Sequence, residues 1–506
     1  MLHQNLVLDE LLPASDIWTS TGLPAHHLER LKLDKDPDLQ INSSFKLASA
    51  AQTTIGLAGL SAALFHQSRT GVEQQVSVHA RHAVIEFHSE AYYILNGKRP
   101  GSIWDTVAGV YRTKDNGFVR LHTNFPHHRK GLLDILGIEN TPQVSRDDVQ
   151  NALLEWNALD FEQASGEKGM CAFALRSFEQ WDATPMAQAL KNTPPVYLRK
   201  IADAPKRKLD ESLRDTLRHP LQGIRVLDLS RVLAGPIAGR TLAAHGADVL
   251  LVTSPNLPDL PNLDVDTSRG KRTTQLDLNQ SQDREKLLSL AADADVFLQA
   301  YRPGGLEGKG FGVKELAALK GEREHGIVCA NLCAWGWEGP WKDRRGFDSL
   351  VQTATGLNVA EAEAYAQFTG SDNATEQLHP KPFPVQALDH AAAYLLTFGV
   401  NAALYKTVTE GGSWEVRVSL AAVGQWVRSL GRVPPNDSFG LATPLPQPES
   451  EEISQLVTEW KQSSGPGRMM ALCHAAIMSE TPVRQGREGQ PGAPIVLNAH
   501  PAEWIV

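Results

Sequence analysis

Hydrophobic and polar positions divide the chain into two textures that meet near Pro220. Beyond it, short apolar runs alternate with helix-like pieces. "GIRVLDLS" reads as a buried strand, "GPIAGRTLAAHGA" as a turn and helix, and "DVLLVTS" as a second strand. "KRTTQLDL", "DADVFLQAY" and "GIVCANLCAW" continue the strands. This alternation predicts an α/β fold with a parallel sheet and Rossmann-like winding over residues 221–430, followed by a C-terminal return segment over 431–506. Before Pro220, residues 1–44 are polar and irregular and predict an arm. Residues 45–200 open on a strong helical run, "FKLASAAQTTIGLAGLSAALFHQ". They go on to "VAGVYRTKDNGFVRLHT", whose Lys-Asp-Asn-Gly turn between alternating segments predicts a hairpin. Residues 201–220 are charged and read as a linker with some helix.

One apolar segment contains an anomaly. "LDHAAAYLLTFGVNAAL", Leu388 to Leu404, is apolar nearly all the way round, the pattern of a buried helix. Its second residue is Asp389. The segment also belongs to an internal repeat. "LASAAQTTIGLAGLSAALFHQSRTGVEQQVSV" (47–78) aligns with "ALDHAAAYLLTFGVNAALYKTVTEGGSWEVRV" (387–418) at an offset of 340 residues. Gly71 meets Gly411, Val76 and Val78 meet Val416 and Val418, and Ser49 stands opposite Asp389.

Asp389 has two readings. As an N-cap, its side chain accepts a hydrogen bond from a free N–H of the first turn, and Ser49 fits the same role. As a nucleophile, a carboxylate at a helix start in apolar surroundings is poised for covalent catalysis. His390 is adjacent but faces elsewhere on a helix and reads as a surface or supporting histidine.

Composition narrows the classes. The chain has 506 residues, 42% hydrophobic and 21% charged, enough for two or three globular domains. A net charge of −9 argues against a general nucleic-acid binder and leaves room for a small anionic ligand. Four cysteines, at 171, 329, 333 and 473, make no disulfide framework and suit a reducing compartment, the cytoplasm. Cys329 and Cys333 read as buried structural thiols. No apolar run reads as a membrane span, and the start "MLHQNLVLDELLP" lacks the basic region and cleavage site of a secretory signal. The histidines of "HTNFPHHRK" (His122, His127, His128) fit no zinc spacing and read as incidental to a loop.

The segment "HPLQGIRVLDLSRVLAGPIAGRTLAAHGADVLLV" resembles the opening of family III CoA-transferases, the superfamily of formyl-CoA and carnitine CoA-transferases and 2-methylacyl-CoA racemases. Similar landmarks follow in order: "SRGKRTTQLDL", "DADVFLQAYRPGGLEGKGFG", "GWEGPWKDRRGFDSLVQTATGL", "ALDHAAAYLLTFGVNAAL" and "VRVSL". The resemblance implies a Rossmann-like large domain with a parallel sheet plus a smaller α+β domain. Residues 45–200 resemble the family's second half, so the chain reads as a permuted or partly duplicated arrangement.

The resemblance places a nucleophilic aspartate at Asp389. It places Val232 and Leu233 near the CoA thiol and Tyr301 at the border of CoA. It places Arg345 against the nucleotide. Lys271 and Arg272 are candidate partners of the CoA phosphates. Formyl-CoA transferases carry glutamine where Leu233 stands, which argues against oxalate-like substrates. The racemases carry a proton-transferring histidine where Phe347 stands, which argues against racemisation. The nearest counterpart of the formyl-CoA transferase glycine loop is "NGKRPGSIWDTVAG". The implied activity is CoA transfer between an acyl-CoA and a small carboxylic acid. CoA is then a substrate, with no tightly bound cofactor and no metal, nucleic-acid or membrane partner. An acyl-CoA isomerase and a non-catalytic CoA-binding relative remain alternatives. The family default is an interlocked homodimer, and the repeat raises a pseudo-dimeric monomer beside it.

Overall fold

The computed structural model of the chain describes residues 12–209, 212, 214–319, 321, 323–371, 379–463, 467–487 and 489–505. Residues 1–11 of the expected arm, and 210, 211 and 213 of the expected linker, lie outside the described residues. In chain order the strands are β1 (Leu31–Leu33), β2 (Val76–Val78), β3 (Ile94–Leu95), β4 (Gly109–Arg112), β5 (Phe118–Leu121), β6 (Ala172–Ala174), β7 (Tyr197–Ala202) and β8 (Arg225–Leu229). They continue with β9 (Asp248–Thr253), β10 (Arg272–Gln275), β11 (Val296–Gln299), β12 (Val328–Cys333), β13 (Ser413–Ser419), β14 (Val457–Lys461), β15 (Arg468–Leu472) and β16 (Ala476–Met478). Helices that matter below are α1 (Leu12–Ser20), α2 (Leu47–Thr70), α3 (Pro126–Leu136), α4 (Ala234–Ala244), α5 (Asp348–Ala354) and α6 (Ala387–Thr409).

Strands β8 to β13 form a parallel sheet, and β7 is added antiparallel at the β13 edge, giving the order β10-β9-β8-β11-β12-β13-β7. The five apolar runs read as strands after Pro220 are β8 to β12. The alternating "WEVRV" run is β13, buried between neighbours on both edges. The hairpin expected at Lys-Asp-Asn-Gly is β4–β5, with Arg112 opposite Phe118 and Asn116 in the left-handed region (φ 59°). With β6 it forms a three-stranded antiparallel sheet. The core of this smaller unit is built on Tyr111, Val119, Leu121, Leu133 and Phe161.

The arm is packed rather than loose. In α1, Trp18 is fully buried, its ring 5.9 Å from Phe398 of α6. Helix α2 exceeds the expectation that no apolar run is long enough for a membrane. Its 24 residues pass by length and composition, and 94% of its apolar window is buried inside the protein against α6 and neighbouring elements.

The repeat is visible in three dimensions. Ser61 and Asn401, equivalent positions 340 residues apart, touch each other, with Asn401 Nδ2 donating to Ser61 Oγ at 3.2 Å. Two equivalent residues in mutual contact mark a local two-fold relation between α2 and α6. Each helix ends against a left-handed glycine, Gly71 (φ 78°) or Gly411 (φ 73°), and each leads to a strand. Val76 of β2 has a parallel neighbour in Leu31 and an antiparallel one in Met478. Val416 of β13 has the same arrangement with Ala330 and Leu198. Gly59 lies directly on Val76, and its counterpart Gly399 lies directly on Val416, so any Cβ there would overlap the valine. Only glycine lets helix and strand approach this closely. Gly399→Ala is expected to lower stability by about 1–3 kcal/mol through overpacking, read as a drop in the urea midpoint with an unchanged slope.

Candidate active site

Strand order reverses beside β8: β9 and β10 lie on one side, β11, β12 and β13 on the other. Loops leaving the carboxyl ends diverge at such a point and open a crevice, the usual ligand position in an open α/β sheet. A cavity of about 320 Å³ lies there. Val232 and Leu233 border it from the turn after β8, Tyr301 and Arg302 from the turn after β11, and Arg345 and Phe347 from the approach to α5. The smaller unit closes it with Phe125 from the loop after β5 and His127 and His128 from the first turn of α3. Asp389 lies in its wall.

The start of α6 bears on the N-cap reading of Asp389. Its side chain is half-buried and, among the described residues, accepts no hydrogen bond, so it does not cap the helix. The cap comes from another segment. Asp348, fully buried at the start of α5, accepts from Leu388 N at 2.7 Å and Asp389 N at 3.0 Å through Oδ2, and from Gln352 Nε2 through Oδ1. The repeat does the same thing, with Asp38 Oδ1 accepting from Ser49 N at 3.1 Å. With its backbone amide served by Asp348, the Asp389 carboxylate is left to face the cavity.

Burial, then the charges of Asp348 and Glu90, push the Asp389 carboxyl well above the ordinary carboxylate range. Asp348 is also raised by burial, but its three hydrogen bonds work in the opposite direction. His390 is not at the surface. It is fully buried, with Nε2 3.1 Å from Glu90 Oε2 and its ring stacked on Phe87. Burial raises Glu90, but His390 and His88 beside it outweigh that and hold its carboxyl low. This keeps a negative charge near Asp389.

The rest of the crevice is electropositive. Arg231, Arg302 and Arg345 rim it, and none has a carboxylate partner among the described residues. They bond backbone carbonyls instead: Arg302 to Asp343 O at 3.1 Å, Arg345 to Gly169 O at 2.8 Å, and Arg231 to Pro258 O. Burial, His127 and the three arginines push His128 down to about 3, so it is neutral. Burial raises the Cys333 thiol, which also borders the cavity, to about 12, so it offers no thiolate. Val232 has φ 76°, a costly conformation for a β-branched residue, and it aims the start of α4 at the cavity. The first turn of α4 has no side-chain cap, which leaves backbone N–H groups free for an anion.

Of the residues singled out from sequence, Asp389, Val232, Leu233, Tyr301 and Arg345 meet at this cavity. Lys271 and Arg272 do not. Lys271 is fully buried, its Nζ bonded to Asp228 Oδ2 at 2.9 Å and Pro236 O at 2.7 Å. Arg272 holds Asp248 in a two-pronged pair at 2.9 Å. Both border a larger cleft, about 910 Å³, together with Arg225, Asp248 and Asp295. That cleft lies at the amino ends of the strands, the opposite side of the sheet from Asp389, so its size does not make it the site. Both cations are committed to carboxylates before any phosphate arrives. The sequence reading missed Arg231 and Arg302, and it read His127 and His128 as incidental although they line the cavity. Asp38 and Asp348 both lie outside the aligned segments 47–78 and 387–418, so the repeat gave no signal for the cap.

The strand order and crevice define a Rossmann-like α/β protein with a free carboxylate at the switch point. Residues 221–431 match the sequence profile of CoA-transferase family III. The chain is 30% identical over 339 residues to the acetyl-coenzyme A transferase nodX of Hypoxylon pulicicidum, covering 64% of this chain and 55% of the relative. It is 34% identical over 226 residues to a probable fatty acyl-CoA transferase of Mycobacterium tuberculosis, covering 42% of this chain and 53% of that one. A succinyl-CoA:glutarate CoA-transferase of Mus musculus is 31% identical over 150 residues, 27% of this chain and 34% of its own. The chain thus spans a third to just over half of these relatives' length. A crystal structure of a hypothetical protein from Mycobacterium tuberculosis aligns with a TM-score of 0.34 at 30% identity, covering 49% of this chain and 63% of that one.

A raised carboxyl pKa has a measurable consequence. Between the unfolded value near 3.8 and the higher folded value, the native state holds more protons than the unfolded state. Stability therefore falls as pH rises through that window. Asp389→Asn removes the effect. The variant is expected to match the native protein below about pH 4 and to exceed it at pH 7 by on the order of 1 kcal/mol, measured by urea unfolding at both pH values.

Proposed function

We propose that the protein transfers CoA between an acyl-CoA donor and a carboxylic acid acceptor, with Asp389 as the nucleophile. The observation that supports this most is the free Asp389 carboxylate facing a cationic crevice while Asp348 caps its helix. A residue needed only for the cap would occupy the bond that Asp348 makes.

The reaction runs in two mirrored halves. A carboxylate oxygen of Asp389 attacks the thioester carbonyl, the C–S bond breaks, and the CoA thiolate leaves a mixed anhydride. The thiolate attacks the aspartyl carbonyl, the C–O bond to the donor acyl group breaks, and the donor acid departs as carboxylate. The acceptor carboxylate attacks the resulting aspartyl-CoA thioester and expels the thiolate. The thiolate takes the acceptor acyl group from the new anhydride, restoring Asp389. No net proton is consumed. Free N–H groups at the start of α4 are placed to receive the oxyanions. Arg231, Arg302 and Arg345 are the candidate partners of the CoA phosphates. With Phe347 in the wall, the position that carries a proton in racemases is inert.

Incubation with an acyl-CoA followed by hydroxylamine is expected to leave a covalent mark at Asp389 by peptide mass. Asp389→Asn should keep CoA binding and lose acyl exchange. Normal exchange by that variant would overturn the proposal.

We infer also that the chain acts as its own partner, since the paired repeats meet about a local two-fold relation. Light scattering should then give the mass of a single chain, 55.3 kDa. Twice that mass would refute it.

A further inference from the structure

The 910 Å³ cleft at the amino ends of the sheet takes no part in the chemistry at Asp389. Strand β8 runs from Arg225 at this cleft to Leu229 below the crevice, so about 15 Å of strand separates the two openings. The cleft is also long. Arg272, Asp248, Arg225, Asp295 and His325 line it from the starts of β10, β9, β8, β11 and β12 or just before them. Four steps between neighbouring strands make roughly 19 Å.

The charge along it is positive. Among the described residues five arginines and three aspartates line it, and Lys271 is neutralised by Asp228. Arg272 holds Asp248, and Arg207 and His325 share Asp295. Two arginines are left over, one toward each end. Arg323 gives Nε to Ala292 O at 3.3 Å and Nη1 to His325 O at 2.9 Å, and its Nη2 is buried without a partner. The Arg484 side chain makes no hydrogen bond or ion pair among the described residues. Asp248 is the charge that acts on it, and Arg272 already grips that carboxylate with two prongs. Burial pushes both arginines below the ordinary arginine value, as expected of guanidinium groups short of water. Helix-end carbonyls do not absorb the surplus. Ala292 O is taken by Arg323, and Ala244 O by the Arg484 backbone amide at 2.8 Å.

We propose that this cleft is a second ligand site, separate from the Asp389 crevice, for a phosphorylated small molecule of nucleotide size. A guanidinium fork matches phosphate oxygens two at a time, and charge-assisted bonds of this kind are strong. The phosphate charge answers the surplus that the three aspartates leave. The volume and length of the cleft exceed what a lone inorganic ion fills and fall within the range of small-molecule pockets. The assignment goes beyond the transferase reading and stands whatever Asp389 does.

Binding tests it directly, with ATP as the probe. Calorimetric titration of the full chain should show a binding event with ATP that adenosine does not give. Arg484→Gln and Arg323→Gln should each weaken that event about tenfold or more. Arg302→Gln, at the other end of the sheet, should leave it unchanged. The Arg484 side chain holds no other group in place, so Arg484→Gln should fold, as circular dichroism would show, and it serves alone if Arg323→Gln does not fold. Absence of ATP binding, equal affinity for adenosine, or undiminished ATP affinity in either folded variant overturns the assignment. Loss of the event in Arg302→Gln also overturns it, since the nucleotide would then sit in the crevice.

Discussion

One hydrogen-bonded contact organises the site: the Asp348 carboxylate on the first N–H groups of α6. A helix start must satisfy its free amides, and an aspartate in the first turn would ordinarily do so itself. Here the acid comes from 41 residues upstream. With the cap supplied from elsewhere, the Asp389 carboxylate is not needed to hold the helix. This arrangement also places one buried carboxyl beside another, which raises the proton affinity of the free one. Asp38 and Ser49 repeat the capping geometry without a second free carboxylate.

The same two-fold logic explains how so apolar a helix pair is accommodated. Gly59 and Gly399 bring α2 and α6 onto β2 and β13 at distances no other residue allows, and Ser61 and Asn401 meet between the helices. Residues from the first repeat thus cover surface that the second repeat would otherwise expose. The β2 sheet has three strands against seven around β13, so the two halves are unequal in what they can hold.

Electrostatics divides the sheet into two ends. At the amino ends, Lys271 and Arg272 are spent on Asp228 and Asp248, and breaking such a buried pair as Lys271–Asp228 costs about 3–5 kcal/mol. At the carboxyl ends, Arg231, Arg302 and Arg345 bond carbonyl oxygens and have no carboxylate partner among the described residues. A protein of net charge −9 therefore presents a local cationic crevice. Cation type and sequence neighbourhood look alike for the two groups. Only their partners distinguish them.

The sequence by itself determined the parallel sheet, because five apolar runs punctuated by turns have few other ways to be buried. It determined the hairpin at Asn116, because that turn requires a left-handed residue. It determined the repeat, because helix, glycine and strand recur in one order, and it singled out Asp389 as a carboxylate in an apolar helix. The tertiary structure decided that Asp348 and not Asp389 caps α6, because a cap supplied by Asp348 is a long-range contact that no local pattern encodes. It also turned Lys271 and Arg272 away from the crevice and brought His127 and His128 into it from the smaller unit. Charge pairing is settled by distance in space, and distance in space is what a linear pattern of polar and apolar residues leaves open.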